Sequence, residues 1–378
     1  MSERLRQLIL LLRSHLLGFD AKALFPALSE AEWNELYELA LSHGVQGFAY
    51  EGAYRLGLKL PDGLRKIWRA KMVNDVRRYF EIRNECVYLV EKLESNGIKP
   101  VILKGFSVSR FYPFPELRLM GDMDILVDED FYQAALMLEE AGYRARKEVA
   151  VHHIEFTNDK FLLELHRMPL TPAGYKDYDR LVAMVNFTEL MNRCRFFDLN
   201  AISMLGLGED DFIHLNFVHI LKHLFHDRVV LRNFCDIVVL FNSIRREDWQ
   251  GYYDMFVDCG LEKHFSGLVS FLVFEFGLPH ELVNGIKLLD KAEADDFAAA
   301  VFSVTSVKEG ANQYYSSLSF KGVLKMLFLY LEAAGRDTLI KYPYCRKFIL
   351  LRPVGFIHAY VDYAGELLKK LVGRQNEK

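Results

Sequence analysis

The chain lacks the features that mark disulfide-rich, membrane-spanning and broadly nucleic-acid-binding proteins. It has only five cysteines, with no CxxC pair among them, so we expect buried thiols in a reducing compartment and predict a cytoplasmic location. It contains no run of eighteen apolar residues and no charged-then-apolar N-terminal signal layout, so no transmembrane segment is expected. A formal net charge of −4 argues against a broad nucleic-acid-binding surface and leaves only a local basic groove open.

The composition is that of a folded globular protein, with 51% apolar and 26% charged residues in 378. A chain of this length has room for two or three domains. Helical periodicity predicts an N-terminal helical region over 1–97 and a C-terminal helical domain over 171–378. Between them, the sequence predicts a core with a small mixed β-sheet over residues 98–170. The predicted fold class is therefore α+β.

Two segments of the predicted C-terminal domain allow more than one interpretation. Phe196–Ile202 is a candidate short strand in an otherwise helical region. Val354–Val372 is predicted to form an amphipathic helix with basic residues near its end. The helix dipole accounts for those charges, and attachment to a membrane surface or a partner protein is the alternative.

The centre of the predicted core consists of two short strands that carry polar groups at defined positions. Val101–Leu103 is an apolar strand, and the turn after it, 104–107, contains Gly105, which lets backbone N–H groups approach a phosphate closely. The second strand carries Asp122 and Asp124, which point to the same face because side chains alternate along a strand. Two adjacent carboxylates repel each other, and a metal ion relieves this repulsion.

These motifs resemble the nucleotidyltransferase superfamily with the DNA polymerase β-like fold. The resemblance is closest to a large, mostly uncharacterised bacterial nucleotidyltransferase family whose signature is LKG, YP, R and D-x-D-hh-V. The matching residues here are Leu103-Lys104-Gly105, Tyr112-Pro113, Arg118 and Asp122-x-Asp124-Ile-Leu-Val127. The chain departs from the superfamily pattern in two ways: the Gly-Ser pair is stretched to Gly105-Phe106-Ser107, and an insert over 110–117 precedes the acids.

The resemblance calls for a third acid on a later strand, and Glu164 fits that position. It lies within the apolar segment Phe161–His166, where a carboxylate is costly unless it is partnered, so we expect it to face the two aspartates. In the superfamily, three such acids hold two divalent ions. The resemblance therefore implies that Asp122, Asp124 and Glu164 are catalytic and bind Mg²⁺ or Mn²⁺, with Glu164 as the candidate general base. A salt-bridged surface turn and strand is the alternative.

The resemblance also implies a set of nucleotide-binding residues. Lys104, the backbone at Gly105 and the Ser107 hydroxyl would hold the phosphates of an NTP. Arg118 would clamp a phosphate or pair with the acids. His166 shares a strand face with Glu164 and is a candidate for orienting a carboxylate or reaching the acceptor.

Two further pairs are candidate cleft-lining residues. His219 and His223 have HxxxH spacing on one predicted helix, which indicates either a polar cleft face or a zinc site. Arg232 and Asp236 lie four apart on a strongly apolar helix. They are either a structural ion pair or the floor of the site, and the sequence leaves both open.

The resemblance implies transfer of a nucleoside monophosphate from an NTP to a hydroxyl-bearing acceptor by two-metal catalysis. The acceptor class stays open among a small molecule, a protein and an RNA end. The alternative function is a catalytically weak module that binds nucleotides or proteins, in a toxin–antitoxin or biosynthetic-cluster assembly.

Overall fold

A computed structural model describes residues 1–146, 150–170, 172, 176–184, 187–226, 229–244 and 249–303, with isolated positions beyond them. Within these residues the protein is an α+β structure built on a seven-stranded mixed sheet, which confirms the predicted fold class. The predicted helix 354–372 lies outside the described residues except at Ile357 and Val361. Among the residues described, the helices are all too short or too polar to cross a lipid bilayer.

α-Helices make up much of the described part of the chain. They are α1 (Glu3–Leu17), α2 (Glu30–Ser42), α3 (Gln46–Arg55), α4 (Asp62–Glu94), α5 (Phe106–Ser109), α6 (Phe131–Glu140), α7 (Lys176–Ala183), α8 (Phe187–Arg193), α9 (Glu209–His226), α10 (Leu231–Ser243), α11 (Gln250–Asp258), α12 (Glu262–Phe274) and α13 (Lys291–Ser303). Short 3-10 turns occupy Lys22–Leu24, Pro115–Leu117 and His280–Val283.

The strands are β1 (Val101–Ile102), β2 (Met123–Leu126), β3 (Arg144–Ala145), β4 (His153–Thr157), β5 (Leu162–His166), β6 (Arg195–Leu199) and β7 (Ile202–Gly206). Their order in the sheet is β3-β4-β5-β2-β1-β7-β6. The pairs β2–β5 and β1–β7 are parallel, whereas β1–β2, β3–β4, β4–β5 and β6–β7 are antiparallel. The sheet is therefore mixed, as predicted.

The chain forms two compact units that do not follow chain order. Unit 1 comprises 1–83, 106–120 and 213–311, and unit 2 comprises 84–105, 121–212 and 312–378. The seven strands found among the described residues all belong to unit 2. The division predicted from the sequence, into 1–97, 98–170 and 171–378, stays a prediction.

Unit 1 is built around closely packed helices. The apolar face of α1 is fully buried at Leu8, Leu11 and Leu12. Its neighbour α3 approaches so closely at Gly52 that a Cβ placed there would lie 2.0 Å from the carbonyl oxygen of Leu11. Only glycine fits this contact, because any side chain would collide with backbone.

The sheet of unit 2 has an apolar face and a polar face in its centre. Alternation along β2 and β5 buries Ile125 and Leu163 completely on one face. The opposite face carries Asp124 and Glu164. The predicted strand 196–202 is instead a hairpin, because Asn200 and Ala201 adopt positive φ angles and turn the chain between β6 and β7. This hairpin joins the sheet through β7 and β1, so the sheet extends beyond the predicted core.

Candidate active site

Two of the predicted acids lie opposite each other at the centre of the sheet. Asp124 on β2 pairs with Glu164 on β5, and the strands are parallel neighbours. Directly paired residues project from the same face, so the two carboxylates share it. Asp124 is buried, and the Glu164 side chain is 18% exposed. The sheet therefore fixes two acids side by side in a largely desolvated setting.

His166, two residues after Glu164, contacts both acids. Its Nε2 lies 3.0 Å from Oδ1 of Asp124 and 3.1 Å from Oε2 of Glu164. The imidazole is fully buried. Burial alone lowers the pKa of His166, but its hydrogen bonds to Asp124 and Glu164 outweigh burial, and the pKa is raised. The structure thus places His166 where it orients both carboxylates.

Lys104 supplies the positive charge of the site. It follows β1, and its Nζ lies 3.1 Å from Oδ1 of Asp124. The next residue, Gly105, has a φ of 59°, a left-handed conformation that glycine adopts without strain. The turn predicted after the first strand is therefore present, and it directs the lysine towards the acids.

The charges in this cluster stabilise one another. Burial alone raises the pKa of Asp124, but the positive charge of Lys104 and the contact with His166 hold it well below its usual range. Burial lowers the pKa of Lys104, yet Asp124, Glu164 and Asp122 together raise it. Burial likewise raises the pKa of Glu164, but the hydrogen bond from His166 contributes to a net decrease. The two acids are therefore ionised at neutral pH and the lysine is protonated.

Asp122 occupies a different position from the other two predicted acids. It precedes the first paired residue of β2, Met123, and is half-buried. Within the described part of the chain, the metal-competent group at this point consists of Asp124, Glu164 and His166, whose ligand atoms lie within 4.8 Å of one another. Asp122 contributes to the charge around Lys104 without joining that group.

The sequence interpretation missed two polar residues on β4. Antiparallel pairing places His153 opposite His166 and Glu155 opposite Glu164, so the polar face continues onto this strand. The sequence pattern that could have identified them is the alternation His153-Ile154-Glu155, in which two potential metal ligands flank a buried isoleucine. The neighbouring His152 also approaches, with its Nε2 3.1 Å from Nδ1 of His153.

Arg118 and Asp236 form a buried cluster inside unit 1. Arg118 donates from Nε to Oδ1 and from Nη2 to Oδ2 of Asp236, at 2.8 Å each. The hydroxyl of Tyr112 donates to the same Oδ1 at 2.6 Å. The ion pair considered for Arg232 and Asp236 is formed instead by Arg118 and Asp236. The Nη1 of Arg232 donates instead to the carbonyl oxygen of Leu119, at 3.1 Å.

The remaining predicted residues also lie in unit 1. Ser107 is buried within the short helix α5. His219 and His223 on α9 face each other, with their Nε2 atoms 3.1 Å apart. The groups of three or more potential metal ligands found in the described residues all lie in unit 2, on or next to β2, β4 and β5, so a zinc site at this histidine pair gains no support.

Comparison with known proteins adds a family match to this geometry. The model of a family described as uncharacterised nucleotidyltransferase matches residues 29–272, which include Lys104, Asp124, Glu164 and His166. No curated protein matches the chain. The matched span covers more than half of the sequence and supports nucleotidyl transfer as the general activity.

Proposed function

Since this chain belongs to the uncharacterised nucleotidyltransferase family, we propose that it transfers a nucleoside monophosphate from an NTP to a hydroxyl-bearing acceptor. The observation that carries the proposal is the pairing of Asp124 with Glu164 on adjacent parallel strands, beside Lys104. A fixed pair of ionised carboxylates next to a buried ammonium group suits phosphate chemistry, because it combines a cation-binding face with an anion-binding group.

The donor set fits divalent ions. Asp124 and Glu164 offer ionised oxygens, the ligands that Mg²⁺ and Mn²⁺ prefer, and Asp122 lies two residues before Asp124. We assign these three acids as the residues that would hold Mg²⁺ or Mn²⁺. Such ions, when bound, neutralise charge on the NTP phosphates and favour deprotonation of the acceptor hydroxyl.

The protein's own groups have distinct roles in this proposal. Lys104 binds oxygens of the NTP phosphates, and the backbone at Gly105 approaches them closely because it carries no side chain. Glu164 accepts the proton of the acceptor hydroxyl, and His166 holds the carboxylate in position through its Nε2 contact. Nucleotide binding by Ser107 and Arg118 stays a prediction from the family resemblance.

One observation favours a second candidate, a catalytically weak nucleotide-binding module. Oδ1 of Asp124 contacts both Lys104 and His166, so side chains of the protein already neutralise much of its charge. A cation that binds there must compete with both. In such a module the nucleotide binds, but transfer is slow or absent.

Calorimetry with wild type, Asp124→Asn and the control Asp128→Asn tests the proposal. Each NTP is titrated with Mg²⁺ into the three proteins, and transfer of label from an α-labelled NTP is followed separately. We expect Asp124→Asn to weaken metal-dependent nucleotide binding by about tenfold or more, because it removes a ligand charge from a desolvated site. Asp128 is exposed after β2, so Asp128→Asn should bind like wild type.

The outcomes separate the candidates. Binding together with transfer supports the enzyme, and binding without transfer to any acceptor class supports the weak module. If folded wild type binds no NTP, both candidates fail.

A further inference from the structure

The polar face of the sheet continues past the proposed active site onto β4. Register places Glu155 of β4 directly opposite Glu164, and His153 directly opposite His166. These two β4 residues therefore project from the same face as Asp124 and Glu164. The His153 side chain is 10% exposed and the Glu155 side chain 25%, so the extension is partly desolvated.

The carboxylate of Glu164 links two groups of potential ligands. Its Oε2 lies 3.1 Å from Nε2 of His166, on the side of Asp124. Its Oε1 lies 3.7 Å from Nε2 of His153, which is itself 3.9 Å from Oε1 of Glu155. The ligand atoms of His153, Glu155 and Glu164 all lie within 4.8 Å of one another. Glu164 thus presents one oxygen to each group.

The spacing of the β4 group suits a small dication. The distances of 3.7 and 3.9 Å bring one ligand atom from each of the three side chains close together, and Oε2 of Glu155, the oxygen that does not face His153, accepts a hydrogen bond from Nη1 of Arg146 at 2.9 Å. In a tetrahedral zinc site with ligand bonds of about 2.0–2.1 Å, ligand atoms are roughly 3.4 Å apart. Small rotations of these side chains bring them to that separation.

We propose that His153, Glu155 and Glu164 form a second metal site that takes a transition-metal dication such as Zn²⁺ in preference to Mg²⁺. Imidazole nitrogen is a common ligand for Zn²⁺ and a poor one for Mg²⁺, which prefers oxygen and retains water. The site shares Glu164 with the proposed active site, yet it requires neither a nucleotide nor the transfer reaction. Zinc bound there restrains Glu164 from the side opposite His166.

Zinc binding is measured without nucleotide, by calorimetry and by metal analysis after equilibrium dialysis. We expect His153→Gln and Glu155→Gln each to weaken zinc binding by about tenfold or more, because each removes one of three protein ligands. Mg²⁺ binding should change by less than about threefold, since the acids around Asp124 remain. His280→Gln and Glu129→Gln are the matched controls, because both side chains are exposed.

Asp124→Asn separates this inference from the proposed function. It should weaken Mg²⁺ and nucleotide binding and keep zinc binding within about threefold of wild type, because Asp124 is outside the β4 group. Loss of nucleotide binding with intact zinc binding would leave the metal site standing while the proposed function is revised. Failure of the zinc site alone would leave the proposed function untouched.

Three results would overturn the second site. They are zinc binding no tighter than Mg²⁺ binding in wild type, wild-type zinc affinity in both β4 variants, and loss of zinc binding in the controls. Should either β4 variant fail to fold by circular dichroism, zinc K-edge absorption of His166→Gln decides whether zinc binds at His153, because this variant removes the imidazole of the group formed by Asp124, Glu164 and His166. A shell with imidazole nitrogen and carboxylate oxygen supports the site, and a shell of oxygen alone contradicts it.

Discussion

Replacing Asp236 with asparagine tests whether the Arg118–Asp236 pair is primarily structural. The carboxylate accepts two hydrogen bonds from Arg118 and one from Tyr112, and both charged side chains are about nine-tenths buried. Asparagine removes the charge and replaces one acceptor oxygen with an N–H donor. The guanidinium of Arg118 then stays buried without its counter-charge. Breaking one side of a buried ion pair costs about 3–5 kcal/mol, so we expect unit 1 to lose that much stability.

Tryptophan fluorescence during urea unfolding measures this loss selectively. The three tryptophans, Trp33, Trp68 and Trp249, all belong to unit 1. Their signal therefore reports on the unit that contains the ion pair. The control is Asp258→Asn, which removes an exposed carboxylate at the end of α11 and should change stability by less than about 0.5 kcal/mol.

A companion variant, Arg118→Lys, distinguishes a structural role from nucleotide binding. Lysine keeps the charge but cannot form the paired N–H contacts with Asp236, so a structural Arg118 predicts a loss of stability. If Arg118 mainly clamps a phosphate, the variant should weaken nucleotide binding while unit 1 stays stable. A stability loss below about 1 kcal/mol in Asp236→Asn would refute the reasoning, because it would show that the pair contributes little.

Two further predictions concern the stability of unit 1, measured by the same fluorescence assay. Burial lowers the pKa of His15 to about 3, so the folded protein favours the neutral imidazole. The unfolded chain takes up a proton below about pH 6.5, so the stability of unit 1 is unaffected above that pH and decreases as the pH falls towards 3. About 2 kcal/mol of stability is lost by pH 5. His15→Phe, which keeps the stacking on Phe48, should lose less stability between pH 7 and 5, and an equal loss would contradict this account. Gly52→Ala should cost about 3 kcal/mol or more of stability, because the new Cβ would collide with the Leu11 carbonyl oxygen. The control Gly63→Ala places its Cβ in open space on α4 and should be neutral or slightly stabilising. Equal effects of the two substitutions would contradict the close-packing argument.

Local patterns in the sequence contain enough information to place the central acids. Alternation predicts a polar face at Asp124 with Ile125 facing the core, and the structure has this arrangement. The family resemblance calls for a third acid, and the cost of an unpartnered carboxylate in an apolar strand favours Glu164, which pairs across from Asp124. The face on which each acid lies follows from side-chain direction within its own strand, which the period of two residues fixes, whereas the pairing of β2 with β5 does not follow from that period.

Long-range pairing accounts for what the sequence did not reveal. Nothing in the spacing of β4 indicates that its register brings Glu155 opposite Glu164, since strand order depends on the whole sheet. Arg118 lies four residues before Asp122 in sequence, which suggested the acids as partners, yet its guanidinium binds Asp236 at a separation of 118 residues. Local periodicity carries no information about contacts at that distance.

The centre of the sheet shows why charged residues persist in a buried setting here. Asp124 is almost completely desolvated, and an isolated carboxylate there would become protonated rather than stay charged. Lys104 and His166 prevent this by contacting the same oxygen, so the charge is retained at neutral pH. A hydrophobic replacement of similar size would pack as well at lower desolvation cost. Stability alone therefore does not account for the cluster, whereas the proposed binding of cations and phosphates would require the charges that it preserves.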